Sequence, residues 1–221
     1  MKKYLLLIGA GIFILPFTSQ AQTGFSFGVI GGPVLSSVAV DNVWFGDNSA
    51  FKSKLGGTGG LQVLYGFGES GKIGVNLGAG FTSKGWKVEQ VNMASVLETK
   101  VGGLGYIDIP LNVRYLFDMG LFLETGPTFS FLMGAHFDGK SSIGEGEAKV
   151  EIKDFYNSTD LGWGGGVGYV HEKGFGALIK YTVGMTNIAS DEITGSDPNT
   201  EATMVNGLAS LNFFYLLGYT D

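Results

Sequence analysis

Hydrophobic and polar positions alternate over long stretches of this chain. From Leu61 the odd positions read Leu61, Val63, Tyr65 and Phe67, with Gly60, Gln62, Leu64 and Gly66 between them. From Ile73 they read Ile73, Val75, Leu77, Ala79 and Phe81, against Gly74, Asn76, Gly78, Gly80 and Thr82. The pattern returns at Ile107, Ile109, Leu111, Val113, Tyr115 and Phe117, at Leu121, Leu123, Phe129, Phe131 and Met133, and at Phe175, Ile179, Tyr181, Val183 and Met185. A period of two sustained over ten or so residues predicts β-strands with one apolar face. Weaker alternation over 22–34, 159–171 and 205–219 brings the total to eight strands.

The second face of these strands decides where they fold. It consists of Gly, Ser, Thr and Asn with a few single charges, a poor surface for water but a fitting lining for a narrow lumen. The apolar face carries no Asp, Glu, Lys or Arg in any of the eight segments. That is what a lipid-facing wall requires, since Arg or Lys at mid-depth costs about 2–4 kcal/mol there. The segments are also long. A tilted spanning strand takes ~9–11 residues, against ~5–6 for a globular one.

Connections alternate in length. Short joins are expected at Glu69-Ser70-Gly71, Asp118-Met119-Gly120 and His171-Glu172-Lys173, and long loops over 35–56, 84–103, 134–158 and 187–203. Strict alternation describes an up-and-down meander. Spanning strands leave no edge amides unpaired in hydrocarbon, so the sheet must close. The expected fold is an all-β, eight-stranded antiparallel up-and-down transmembrane β-barrel. Its interior is just wide enough to be filled by side chains. Short turns mark the periplasmic rim of such barrels, which puts both termini on that side. Phe25, Phe67, Phe117, Tyr169, Phe175, Tyr215 and Tyr219 are expected in a girdle at that rim. Phe81, Phe131 and Trp163, with Tyr106 close by, are expected towards the loop rim.

The first residues read as an address. Lys2 and Lys3 precede an apolar stretch from Tyr4 to Phe17, and Ser19-Gln20-Ala21 offers small residues for cleavage. This is the three-part pattern of a secretory signal peptide over 1–21, leaving a barrel domain over 22–221. Pro16 and the shortness of the stretch argue against a spanning helix. Composition closes other routes. With 38 Gly and 5 Pro there is no collagen period, and no cysteine means no disulfide, thiolate metal site or thiol nucleophile. A formal charge of −6 argues against nucleic acid as a partner.

The lumen face carries Asp108, Arg114, Glu124, Asp160 and Lys180, with Lys72 at the turn rim. A three-residue turn at 118–120 sets Arg114 opposite Glu124. Opposite charges at a cross-strand pair attract, and charges away from water need partners. The cluster reads as a structural plug or as a proton or ion relay. Enzyme constellations are thin. His136 and His171 fall at opposite rims, and His136 has only Ser130, Ser141 and Ser142 within range for a lipid-modifying His–Ser pair. The glycines from Gly162 to Gly168 lack the GKS or GKT of a phosphate loop. No cofactor or metal is expected. Glu145, Glu147, Glu151 and Asp154 in the third loop, and Asp191, Glu192, Asp197 and Glu201 in the fourth, lack the spacing of an EF-hand. They read as solvated loops, or as holders of divalent cations that bridge lipopolysaccharide.

Three motifs resemble one known group. Tyr106-Ile107-Asp108-Ile109-Pro110-Leu111 with Arg114-Tyr115, Leu123-Glu124-Thr125-Gly126-Pro127, and Lys180-Tyr181 with Gly184-Met185-Thr186-Asn187-Ile188 resemble strands of the PorT-like outer-membrane β-barrel domain of Bacteroidetes. The resemblance implies an eight-stranded outer-membrane barrel, with a named member that serves protein secretion. Barrels of this kind usually end on an aromatic residue, whereas here Thr220-Asp221 follow Tyr219. The resulting expectation is a non-enzymatic outer-membrane barrel with a structural or interaction role, an accessory of secretion or envelope assembly. Its partners would be outer-membrane lipid, lipopolysaccharide and envelope or secretion-complex proteins. The alternatives are a small porin or transport channel and, behind it, a lipid-modifying barrel enzyme.

Overall fold

Alternation along the chain becomes alternation across a wall. The computed structural model describes residues 24–41, 49–67, 72–92, 95–100, 103–140, 147–190 and 203–219. The expected leader at 1–21, the expected turn at 69–71, Ser141, Ser142, Glu145 and the four fourth-loop acids lie outside them. The strands are β1 (Phe25–Asp41), β2 (Ser49–Phe67), β3 (Ile73–Lys84), β4 (Trp86–Asn92), β5 (Ser95–Lys100), β6 (Leu104–Leu116), β7 (Leu121–Lys140), β8 (Glu147–Glu151), β9 (Thr159–Val170), β10 (Phe175–Gly184) and β11 (Thr203–Leu217). One 3-10 turn spans Lys153–Phe155.

Eight of these strands close on themselves. Antiparallel pairing runs β1–β2–β3–β6–β7–β9–β10–β11 and returns to β1 through pairs such as Val29↔Tyr215. The expected barrel is therefore the observed one, and no edge is left for lipid to meet. The outward positions are those the alternation assigned. Leu61 is 65% exposed and Ile179 64%, while the intervening Leu64 and Lys180 are each only 8% exposed. Polar groups that do face lipid are satisfied on the spot. Trp163 Nε1 donates to Thr125 Oγ1 at 3.0 Å, and that hydroxyl donates to Gly164 O at 2.9 Å.

Two described turns share one geometry. Gly120 N donates to Phe117 O and Gly174 N to His171 O, with φ of 80° and 83° at the two glycines. This is the three-residue hairpin, which needs a left-handed residue at its third position. The third turn is accordingly Glu172-Lys173-Gly174, one residue later than the sequence suggested.

The long connections are more ordered than expected. β1, β2 and β7 run past the mouth, reaching 17, 19 and 20 residues. Above the mouth β2 pairs with β4, β4 with β5, β5 with β7 and β7 with β8. Much of what reads as loop over 35–56, 84–103 and 134–158 is thus a second small sheet continuing the wall. Gly85, at φ 138°, is the corner where β3 becomes β4 and turns Trp86 into the mouth.

Glycine makes room inside. A Cβ on Gly126 would sit 2.0 Å from Leu111 O, and one on Gly168 2.3 Å from Phe122 Cζ. Outward Gly165 has nothing nearer than 3.9 Å. Gly126→Ala and Gly168→Ala are each expected to destabilise by about 1–3 kcal/mol, the usual cost of overpacking. Gly165→Ala should be close to neutral. Urea midpoints of the folded band on unheated gels check both halves of this expectation.

Candidate functional site

The lumen gathers every charge that the sequence pointed inward. Asp108 and Arg114 come from β6, Glu124 from β7, Asp160 from β9 and Lys180 from β10, and all five are buried. A sixth belongs with them. Lys84, expected at the start of a loop, is the last residue of β3 and is 4% exposed. The signal was present in the sequence, since Asn76, Gly78, Gly80, Thr82 and Lys84 continue one phase. Three cations (Lys84, Arg114, Lys180) meet three carboxylates (Asp108, Glu124, Asp160), so the network is formally neutral.

The charges form two clusters at different depths. Towards the turn end, Arg114 and Glu124 are register partners. Arg114 Nη2 donates to Glu124 Oε2 at 2.8 Å and Nε donates to the same oxygen at 3.2 Å. Lys180 Nζ lies 3.8 Å from Glu124 Oε1 and donates to Asn112 Oδ1 at 2.8 Å. The guanidinium carbon also sits 3.9 Å from the centre of the Phe122 ring. Towards the loop end, Lys84 Nζ lies 3.3 Å from Asp108 Oδ1 and 3.7 Å from Asp160 Oδ2, and donates to Ser130 Oγ at 2.9 Å. Asp160 accepts from Thr186 Oγ1 at 3.0 Å and from Asn206 Nδ2 at 2.8 Å. Lys72 stays at the rim, paired with exposed Asp118 at 2.6 Å. Exposed pairs of that kind contribute little.

Between the clusters lies a cavity of about 110 Å³, touched by Asp108, Glu124, Lys84 and Lys180. Three of its lining atoms, Gln62 Nε2, Asn76 Oδ1 and Asn212 Oδ1, are buried without a protein hydrogen-bond partner. Buried polar groups of this sort take water, and the space suffices for several molecules.

Apolar side chains pack towards both ends. Leu64, Phe122, Val170, Leu178, Phe214 and Leu216 pack together at the turn end, with Tyr219 against them. Tyr219 therefore leaves the girdle position expected of it. Gly218, at φ 74°, ends the strand and turns the chain under the barrel. At the loop end Val38, Trp86, Leu104, Tyr106, Leu132, Ala135, Ile188, Ala189 and Met204 form a second plug. Tyr106 is in this plug, fully buried, with Lys84 Nζ 4.5 Å from its ring centre, and so it is not a girdle residue. The plug is pinned from above. Asn157 Nδ2 donates to Asn187 O and Ala189 O, both at 2.9 Å, and Asn187 Oδ1 accepts from Met204 N at 2.9 Å. Burial pushes the Tyr156 phenol, packed on the plug, up to about 12, so it stays neutral at ordinary pH.

The three sequence motifs thus supply this lumen. The first gives Tyr106, Asp108 and Arg114, the second Glu124 and close-packed Gly126, the third Lys180 with Thr186, Asn187 and Ile188. The residues suggested for an enzyme do not converge. Ser130 Oγ is held by Lys84, His136 pairs across strands with Glu151, and His171 stacks on Phe175 at 4.4 Å. Among the described residues no three His, Asp or Glu side chains are grouped to hold a metal.

Several solved structures resemble this chain in shape. Neisserial surface protein A is 14% identical, with 87% of this chain and 98% of that chain covered at a TM-score of 0.46. The attachment invasion locus protein Ail of Yersinia pestis is 15% identical over 87% and 99%, at 0.44. OprG of Pseudomonas aeruginosa is 15% identical over 89% and 98%, at 0.42. No curated protein matches the sequence. The family model for the outer membrane protein beta-barrel domain matches residues 19–190, well over half of the chain. This chain is a member of that family, an integral β-barrel of the outer membrane.

Proposed function

We infer that this barrel is a closed, non-enzymatic element of the outer membrane whose work is done by the sheet above its mouth. It would act as a structural or interaction partner in envelope assembly or protein secretion, in the manner that the PorT-like motifs imply. One observation carries this reading. The described lumen charges balance, and apolar clusters fill the barrel towards both ends, an interior that suits stability better than passage. The termini and tight turns would face the periplasm and the second sheet would face outward, where envelope proteins and lipopolysaccharide are met. The porin reading has the lumen cavity in its favour, with an apolar cluster packed towards each end of the barrel against it.

Planar-bilayer recording tests the inference. The refolded barrel is expected to give no steps of conductance, and Phe122→Ala with Phe214→Ala is expected to leave it silent because the outer plug remains. Steady channels from the unaltered protein would support the porin reading instead. Mild detergent extraction followed by affinity capture on the carboxyl end tests the interaction role. Envelope proteins should be recovered with the barrel, and recovery should fall when 86–100 is replaced by a short Gly-Ser linker.

A further inference from the structure

The cavity between the two charge clusters has a hydrogen-bonding pattern of its own. Gln62, Asn76 and Asn212 line it and are 2%, 4% and 5% exposed. Asn76 Nδ2 donates to Gln62 Oε1 at 3.1 Å, which leaves Gln62 Nε2 and Asn76 Oδ1, on the same joined pair, without partners. Turning both amides over would again leave one donor and one acceptor. Asn212 has a single orientation. Ser210 Oγ donates its proton to Lys180 O at 3.4 Å, so it accepts from Asn212 Nδ2 at 2.9 Å, and Asn212 Oδ1 stays an unpaired acceptor.

These atoms define the chemistry of a guest. The described cations and carboxylates of the lumen balance, so a charged guest would leave net charge in a buried space. A hydroxyl both accepts and donates through one oxygen. One hydroxyl therefore matches Gln62 Nε2 and Asn76 Oδ1, and a second hydroxyl supplies the proton that Asn212 Oδ1 lacks. Ile30, Leu178 and Leu208 line the same space. Water satisfies the amides but gains nothing from these side chains, whereas the carbon atoms of a guest are buried against them. The volume is about 110 Å³, against ~150 Å³ for a cavity that takes benzene, so the guest has roughly four to six heavy atoms.

The two ends of the lumen differ in a way that gives this space an entrance. All six buried residues of the turn-end cluster belong to barrel strands. At the loop end, Ile188 and Ala189 lie beyond the end of β10, in a segment held by the two bonds from Asn157 Nδ2 and by Ile188 N to Met204 O at 2.9 Å. On that side a smaller space of about 10 Å³, beside Asp160 and Asn206, shares Lys84, Thr128, Thr182 and Leu208 with the main cavity. We propose that the lumen cavity is a binding site for a small neutral diol, entered from the loop end past Ile188. The site does not depend on the barrel's role as an envelope partner.

Nuclear magnetic resonance of the isotope-labelled full barrel in detergent micelles tests this, with propylene glycol as probe and the side-chain amides of Gln62, Asn76 and Asn212 as reporters. Their signals should shift saturably. Propanol lacks the second hydroxyl and should bind about three- to tenfold more weakly, the worth of one hydrogen bond. Asn212→Leu should weaken propylene glycol by the same factor and leave propanol unchanged. Sorbitol is too large for the cavity and should leave the signals in place. Asn157→Ala removes two bonds that hold the Ile188 segment and should speed entry and exit about tenfold at unchanged affinity. Shifts that stay linear with concentration, equal binding of diol and alcohol, or binding of sorbitol would each overturn the diol site. Signals that no probe moves would leave water as the occupant and overturn it too. Unchanged exchange rates in Asn157→Ala would overturn the entrance. The comparison of probes on the unaltered protein decides the matter if Asn212→Leu does not fold.

Discussion

Glu124→Leu is expected to destabilise the barrel by about 3–5 kcal/mol, the usual cost of removing one partner from a buried ion pair. Glu124 is 4% exposed and lies between two cations. Its Oε2 takes both contacts from Arg114 and its Oε1 faces Lys180. Leucine would leave a guanidinium and an ammonium near one another without the carboxylate that pairs them, with only the more distant Asp108 still acting on Lys180. Arg114 is also held over Phe122, so it has no easy route to water. A second substitution separates charge from packing. Arg114→Met with Glu124→Leu removes the pair together, and Lys180 keeps its bond to Asn112. Paired replacement by apolar groups of similar volume is often neutral or stabilising. The double variant should therefore recover most of the loss in urea titrations followed by unheated gel migration. A double variant as unstable as Glu124→Leu would show that the pair is not the source of the effect.

The Arg114–Glu124 contact was legible because a short turn fixes register. Once Gly120 closes a three-residue hairpin, residues equally far from Met119 must meet. Lys84 was harder to place, because only the strand's length decides whether an inward lysine at its end belongs to the lumen or to the loop. The plugs left a clear trace. Leu64, Phe122, Leu132 and Leu178 are apolar residues on the otherwise polar face, and a lumen lined for water has no use for them. The second sheet left little, for its strands are short, its alternation is mixed with charge and its partners are distant in sequence. Tyr219 misled because a glycine with positive φ breaks the phase on which every girdle assignment rested.

Ile179 and Lys180 put the whole arrangement to its sharpest test. They are consecutive on β10, yet the first faces acyl chains and the second faces Glu124. Ile179 lies near the middle of the strand, between Phe175 at the turn rim and Gly184 at the loop end. Ile179→Lys should cost about 2–4 kcal/mol, the price of a cation near the bilayer midplane. The same change at Leu55, by the loop rim, should cost only about 0–1 kcal/mol. Exchanging the two residues keeps composition and net charge fixed. It should cost more than Ile179→Lys alone, because Glu124 and Asn112 also lose Lys180 while isoleucine enters the polar lumen. Equilibrium unfolding in lipid vesicles measures all three variants. A soluble, inside-out fold predicts instead that the exchange costs no more than Ile179→Lys alone, because isoleucine at position 180 would then sit on a wetted face. If the exchanged chain folds as well as the parent, neither the lipid-facing wall nor the buried network can be as described.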